Sequence, residues 1–177
     1  GRNKTFIVQT GNYPIFTTVN STSTPGSYAA DSSSTSLNQA QDIKISGFTL
    51  IQQTVNTGLA LTSCRNSMFE DITIKGTWIS GTVATATQVG ILMNSLSTAV
   101  SSNNNTFTNC SIHGQTYGVF SDFDIKENTF SNITFQTLDR GVVFGQGTTI
   151  GAQGQLTGPQ NNTVTNSTFT DIDEYGI

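Results

Sequence analysis

The sequence of 177 residues predicts an all-β fold, a parallel β-helix (solenoid) of about five to six coils. Three observations predict it: a nine-residue segment that recurs five times, many β-branched residues beside few helix formers, and little charge. Only 10% of the residues are charged, and eleven Phe supply apolar bulk for a core. This composition argues against a charge-rich disordered chain. A β-sandwich or an up-and-down barrel is the alternative.

The recurring segment defines five repeats, which we number 1 to 5. They occupy residues 42–50, 66–74, 104–112, 127–135 and 161–169 and align without gaps. Positions four and nine are always apolar, and position eight is always Thr or Ser. Two of the spacings between repeats agree at 24 and 23 residues. Such a unit can hold three short strands, one in each of three short sheets, and the longer spacings place insertions in loops at 76–88, 95–103 and 145–160.

Position six predicts a turn between strands. It holds only residue types that tolerate the left-handed backbone conformation, and it lies between two apolar positions that should point inward. The five residues of this turn column are Gly47, Asp71, Asn109, Asn132 and Asn166. We expect neighbouring members about 5 Å apart, with asparagine amides bonded along the stack.

A second element, any residue followed by Gly and an apolar residue, comes after each repeat. It occurs at 57–59, 89–91, 117–119, 140–142 and 175–177, and it predicts a further strand in every coil. Strand alternation then turns one apolar side chain per coil outward. This stripe consists of Ala60, Leu92, Phe120 and Val143. Either the flanking insertions cover it or it is a subunit interface.

The first 41 residues fit the repeat poorly. Strands are plausible at 5–8 and 15–19, so we expect residues 1–41 to form an incomplete N-terminal coil and a Ser/Thr-rich loop. Residues 42–177 then form the β-helix, in one domain overall. Because the chain starts without Met and stops in a predicted strand, we expect it to be a section of a longer protein.

The Asn/Asp/Gly column and the repeated Asn-Thr-Phe-x-Asn phrases resemble the right-handed β-helix proteins of the pectate-lyase type, and the phage tailspike and tail-fibre proteins that share their fold. The resemblance covers about residues 42–177. It implies a right-handed helix and a side-by-side homotrimer in a virion or on another extracellular surface. We expect the helix to be truncated at its C-terminus, where the chain stops in a predicted strand. The resemblance also implies a structural and adhesive segment that displays loops for host-surface polysaccharide recognition and contacts other tail proteins.

Other functions use the same scaffold. The resemblance leaves open a polysaccharide depolymerase, either a glycoside hydrolase or a lyase, and a bacterial surface adhesin. Glycoside hydrolysis usually needs two carboxyl groups about 5–9.5 Å apart. Equivalent places on adjacent coils hold Asp139 beside Arg140 and Asp173 beside Glu174. They are the weak catalytic candidates, and a solvated turn whose Arg offsets the acids is the alternative. We lean against an enzyme.

Few other residues carry chemistry. Trp78 in the first insertion and the acidic pair Asp122 and Asp124 are candidates for binding. One histidine, His113, and two cysteines give no zinc signature, so we expect no metal and no cofactor. A net charge of -4 argues against nucleic-acid binding, and no apolar run approaches the ~20 residues of a membrane helix.

Overall fold

The computed structural model describes residues 5–9, 16–17, 40–54, 57–82, 87–94, 102–121, 125–145 and 158–177. These residues form β-strands and contain no helix that could span a membrane. The strands are β1 Thr5–Gln9, β2 Phe16–Thr17, β3 Ala40–Gln41, β4 Lys44–Ser46, β5 Phe48–Gln52, β6 Thr57–Thr62, β7 Cys64–Arg65, β8 Met68–Glu70, β9 Thr73–Lys75, β10 Val89–Asn94, β11 Thr106–Thr108, β12 Ser111–Ser121, β13 Thr129–Ser131, β14 Thr134–Phe144, β15 Thr163–Thr165 and β16 Thr168–Tyr175.

The strands pair in parallel in three sheets among the described residues. A strongly curled sheet of nine strands contains β1, β5, β9, β12, β10, β6 and β2 in that order; β14 also pairs with β12, and β16 pairs with β14. A five-stranded sheet follows the order β15-β13-β11-β8-β4, and β3 pairs with β7. The expectation of three short sheets is wrong in one respect. The sequence predicted one strand at positions eight and nine of each repeat and a separate strand around the following glycine. In β12 and β14, which have 11 residues each, these two strands are continuous, so both belong to the same sheet.

The gapless alignment of the repeats is also their hydrogen-bonding register. In the five-stranded sheet Phe107 pairs with Phe69 on one side and Phe130 on the other. Their rings stack with centroids 4.8 and 4.7 Å apart and are fully buried. In the curled sheet the position-nine residues Ile112 and Phe135 pair in the same manner. The apolar positions of successive repeats therefore form continuous buried columns.

Residues with positive φ recur at three positions of the repeat; two of these positions lie between strands, and the third lies within the long strands β12, β14 and β16. All five members of the turn column at position six have φ between 50° and 82°. Position one, which the sequence did not single out, has φ from 51° to 57° in all five repeats. Position eleven has positive φ in repeats 3 to 5, at Gly114, Thr137 and Asp171. At position six the backbone N–H of Asn132 donates to Thr165 O of the next repeat at 3.1 Å.

An internal asparagine ladder runs through position two. Asn105 Nδ2 donates to Asn128 Oδ1, and Asn128 Nδ2 donates to Asn162 Oδ1, both at 2.9 Å. Each amide also donates to a backbone carbonyl oxygen: Asn105 to that of Cys64, Asn128 to that of Ser102, and Asn162 to that of Ile125. Asn105 and Asn128 are fully buried. The amide ladder expected at position six is present there only as a 3.4 Å bond between exposed Asn132 and Asn109.

The glycines after each repeat allow the chains to approach closely. A Cβ atom placed on Gly118 would lie 2.6 Å from Gly141 O and 2.8 Å from Cδ1 of the Phe135 ring. Cβ atoms on Gly58, Gly90 and Gly141 would meet the next glycine carbonyl at 2.8, 2.6 and 2.3 Å. No other residue type fits such spacing without a shift, which explains the recurrence of glycine.

The N-terminal strands extend both parts of the curled sheet. β1 pairs with β5, with Ile7 opposite Leu50, and β2 pairs with β6, with Phe16 opposite Leu59. These strands lie within or overlap the segments 5–8 and 15–19 that the sequence indicated. Most of the Ser/Thr-rich stretch and the central parts of the three insertions lie outside the described residues.

Candidate functional site

The structure brings the candidate acids together at a register shift between β14 and β16. Leu138 pairs with Ile172, and Arg140 pairs with Tyr175. Strand β16 therefore has two residues, Asp173 and Glu174, opposite the single Asp139 of β14. Such bulges re-aim side chains and often occur near functional sites. The adjacency inferred from equivalent positions is thus present in the fold.

Arg140 is the centre of the cluster. Its Nε lies 2.6 Å from Glu174 Oε2 and 3.8 Å from Asp139 Oδ2, and its Nη1 donates to the Tyr117 hydroxyl. The guanidinium carbon lies 5.2 Å from the centroid of the Tyr117 ring and 5.5 Å from that of the Tyr175 ring. These distances allow cation–π attraction to both rings. Tyr117, Arg140 and Tyr175 occupy paired positions on three adjacent strands, and we call them the Tyr–Arg–Tyr ridge.

Asp173 holds a segment from a distant repeat. Its carboxylate accepts hydrogen bonds from Ser80 Oγ at 2.6 Å and from the Gly81 N–H at 2.7 Å. We call residues 76–82, the first of the two described parts of the first insertion, the strap. The strap leaves repeat 2, donates from Trp78 N to Gly114 O beside repeat 3 at 2.9 Å, and reaches Asp173 beside repeat 5. The hydrogen bonds from Ser80 and Gly81 lower the pKa of Asp173.

The pKa values of the remaining two carboxyl groups, Asp139 and Glu174, are shifted in opposite directions. Burial, and then the nearby Glu174, raise the pKa of Asp139. The hydrogen bond from Arg140 lowers the pKa of Glu174. Since both acids contact Arg140 Nε, their contacting oxygens can be separated by no more than the sum of 3.8 Å and 2.6 Å. If the pair were catalytic, this limit would favour the ~5–5.5 Å separation of retaining glycosidases.

The other candidate residues take different places. Trp78 lies half-buried on the strap, and its indole Nε1 is buried without a hydrogen-bond partner. Asp122 and Asp124 lie outside the described residues. His113 is half-buried, and burial followed by the charge of Lys75 lowers its pKa. Within the described parts of the chain, no group of three or more His, Cys, Asp or Glu residues could hold a metal ion.

Both cysteines are buried and unpaired. Burial raises the pKa of Cys110 to about 11 and also raises that of Cys64. A thiol with a raised pKa carries little of the nucleophilic thiolate near neutral pH. Neither cysteine therefore has the character of a reactive group.

The apolar stripe occupies paired positions on β6, β10, β12 and β14. Ala60 and Val143 are buried, at 1% and 8% exposure, whereas Leu92 and Phe120 are half-buried. The Phe120 ring meets the edge of the Tyr117 ring with centroids 5.0 Å apart. The stripe thus adjoins the Tyr–Arg–Tyr ridge, and its role as a subunit interface stays a prediction.

Sequence reasoning missed the two tyrosines of the ridge, although a signal existed. The residue before the glycine is Tyr117, Arg140 and Tyr175 after three successive repeats, which predicts a stacked column. The strap had no comparable signal, because Ser80 and Asp173 are 93 residues apart and belong to no repeated pattern. Comparison of the chain with models of protein families, with curated proteins and with solved structures found no match in any of the three.

Proposed function

We propose that the chain is a segment of a right-handed parallel β-helix with a structural and adhesive role in a phage tail fibre or tailspike. Five repeats in parallel register, bends at equivalent positions and the internal asparagine ladder support the helical form. Hydrogen bonds that join internal asparagine side chains from one repeat to the next suit a stiff shaft. The sequence resemblance to tailspike proteins supports the location in a virion.

One observation carries the preference for binding over cleavage: the acids of the cluster already have structural partners. Asp173 is bonded to the strap, and Glu174 is bonded to Arg140, which also lies 3.8 Å from Asp139. Arg140 in turn supports two aromatic rings, the side chains that protein binding surfaces favour. The arrangement resembles a fixed recognition surface more than a pair of free catalytic carboxyl groups.

We propose in addition that three chains associate through the stripe. The half-buried Leu92 and Phe120 provide apolar contact area beside the ridge. A cyclic trimer would repeat one heterologous contact three times and close it. The intact assembly would then present three ridges around a shared axis.

A host-surface polysaccharide assay tests the adhesive role. The purified protein is incubated with capsule or lipopolysaccharide of candidate hosts, and both retention of the protein and release of reducing ends are measured. We expect retention without release. Release of oligosaccharide by the wild-type protein would contradict the proposal.

A depolymerase is the second candidate, favoured by the opposite pKa shifts of Asp139 and Glu174. Two neighbouring carboxyl groups whose pKa values are shifted in opposite directions are typical of a general acid and its partner. If this candidate is correct, Asp139→Asn abolishes release of reducing ends. The matched control is Asp171→Asn, which makes the same change at an exposed turn of the same coil stack and should retain activity.

A further inference from the structure

We infer that the Tyr–Arg–Tyr ridge is a glycan-contacting surface and that it selects neutral glycans over anionic ones; this inference rests on the adhesive function proposed above. It assigns to the binding surface a position on β12, β14 and β16 and a class of ligand. Two properties of the ridge carry it: an accessible ring held in place, and a local excess of carboxylates.

The accessible ring is that of Tyr175. It is 38% exposed and lies on β16, in the same column of paired positions as Tyr117 and Arg140. Arg140 under the ring, 5.5 Å from its centroid, and the strand pairing limit the positions that the side chain can take. A rigid aromatic residue offers a large contact area at a low cost in conformational entropy. The C–H face of a sugar ring is the kind of surface that stacks on it.

The charge of the ridge excludes an acidic sugar. Two carboxylates, those of Asp139 and Glu174, lie against the guanidinium of Arg140, and the charge of a third, Asp173, acts on Asp139. That guanidinium is already used, since it bonds Glu174 through Nε and the Tyr117 hydroxyl through Nη1 and lies against two rings. It is therefore a poor partner for the carboxylate of a uronic acid. Like charges placed together at an interface are a common means of rejecting a partner.

The same carboxylates suit a neutral sugar. Ionised carboxylates only accept hydrogen bonds, and sugar hydroxyls donate them. Asp173 is occupied by the strap, but the Glu174 side chain is 48% exposed and the Asp139 side chain 17% exposed. Glu174 thus offers acceptor oxygens next to the ring of Tyr175. A neutral ligand can use both the ring and these oxygens without charge repulsion.

Affinity electrophoresis tests the inference with four polysaccharides in the gel. Dextran and galactomannan are the neutral probes, and polygalacturonate and hyaluronate are the anionic ones. We expect the wild-type protein to be retarded by a neutral probe and not by the anionic ones. Tyr175→Ala should weaken retardation about tenfold, which corresponds to about 1.4 kcal/mol for one aromatic contact. Phe6→Ala is the matched control, because Phe6 is 58% exposed on β1, and it should bind as the wild type does.

A second variant tests the charge argument independently of Tyr175. Glu174→Lys reverses one exposed charge of the ridge and should create retardation by the anionic probes at low salt. Melting curves establish that each variant is folded.

Four results would overturn the inference. Retardation of the wild-type protein by the anionic probes alone would refute the neutral preference, as would a Glu174→Lys variant with no gain on them. Unchanged retardation of Tyr175→Ala by a neutral probe would place the glycan elsewhere and leave the adhesive function standing. No retardation by any of the four probes would overturn the inference. If host capsule and lipopolysaccharide also failed to retain the protein, the adhesive function would fall with it.

Discussion

Replacing Asn128 with Asp should destabilise the protein strongly and in a pH-dependent manner. Asn128 Nδ2 donates to Ser102 O at 3.1 Å and to Asn162 Oδ1 at 2.9 Å, and its Oδ1 accepts from Asn105 N and Nδ2 at 3.0 and 2.9 Å. The substitution keeps the shape and the accepting oxygen but turns the donor into an oxygen that faces two acceptors. Two lost hydrogen bonds and a buried charge together cost about 3–5 kcal/mol at pH 7.

The pH dependence has a defined sign. The buried carboxyl group of the variant lacks a cationic partner in the ladder, so its pKa in the folded protein lies above the unfolded value of about 3.9. A raised acid pKa means that stability is greatest below the unfolded pKa and is lost as the pH rises through the folded pKa. If the folded pKa exceeds the unfolded one by 1, the free energy of unfolding falls by about 1.36 kcal/mol between low and high pH. The deficit relative to the wild type should therefore shrink towards pH 4.

Urea denaturation at several pH values measures this effect. The control is Asn132→Asp, the same atomic change at an exposed position six, where Asp71 already shows that Asp accepts positive φ. Its effect should stay within about 0.5 kcal/mol. Two results would refute the role assigned to the internal ladder. One is an equal loss of unfolding free energy in Asn128→Asp and Asn132→Asp, and the other is a loss in Asn128→Asp that does not change with pH.

Three further predictions concern the glycine column, the strap and the stripe. Gly118→Ala should lower the free energy of unfolding, measured by urea denaturation, by about 1–3 kcal/mol, because the new Cβ would lie 2.6 Å from Gly141 O. A stabilised variant would contradict the close approach of the two strands. Asp173→Asn should make the strap more sensitive to limited proteolysis than in the wild type at pH 7. Because the folded pKa of Asp173 is lowered, its hydrogen bond with Ser80 stabilises the strap above the unfolded pKa and is lost as the pH falls through the folded pKa. Equal cleavage of Asp173→Asn and the wild type at pH 7 would argue against this role of Asp173. Phe120→Ser should dissociate the proposed trimer in sedimentation, and a monomeric wild type would contradict the assembly.

The register of the fold was predictable because it is repeated in the sequence. Apolar residues at positions four and nine, such as Phe107 and Ile112, define which side chains must face inward in every repeat. Position six was predictable because it admits only Gly, Asp and Asn. The equivalent positions of Asp139 and Asp173 were also enough to place the acids on neighbouring strands.

Other features followed from contacts that no single position records. Position one bends in every repeat, yet Glu127 there obscures its Asp and Asn pattern. Thr137 at position eleven has positive φ, although β-branched residues disfavour this conformation. A threonine there therefore does not predict the bend. The asparagine ladder begins only at Asn105, because Ile43 and Ser67 occupy position two in the first two repeats. The strap depends on a loop whose path the periodic pattern does not determine.

The strap also has a consequence for how the chain unfolds. In an array of stacked units the stability is a sum of terms between nearest neighbours, so such arrays can fray from an end one unit at a time. A link from repeat 2 to Asp173 beside repeat 5 joins units that are not neighbours. Unfolding of repeat 5 then also releases a segment anchored three repeats away. Repeats 2 to 5 should therefore unfold together, in a transition sharper than that of an unlinked array of the same length.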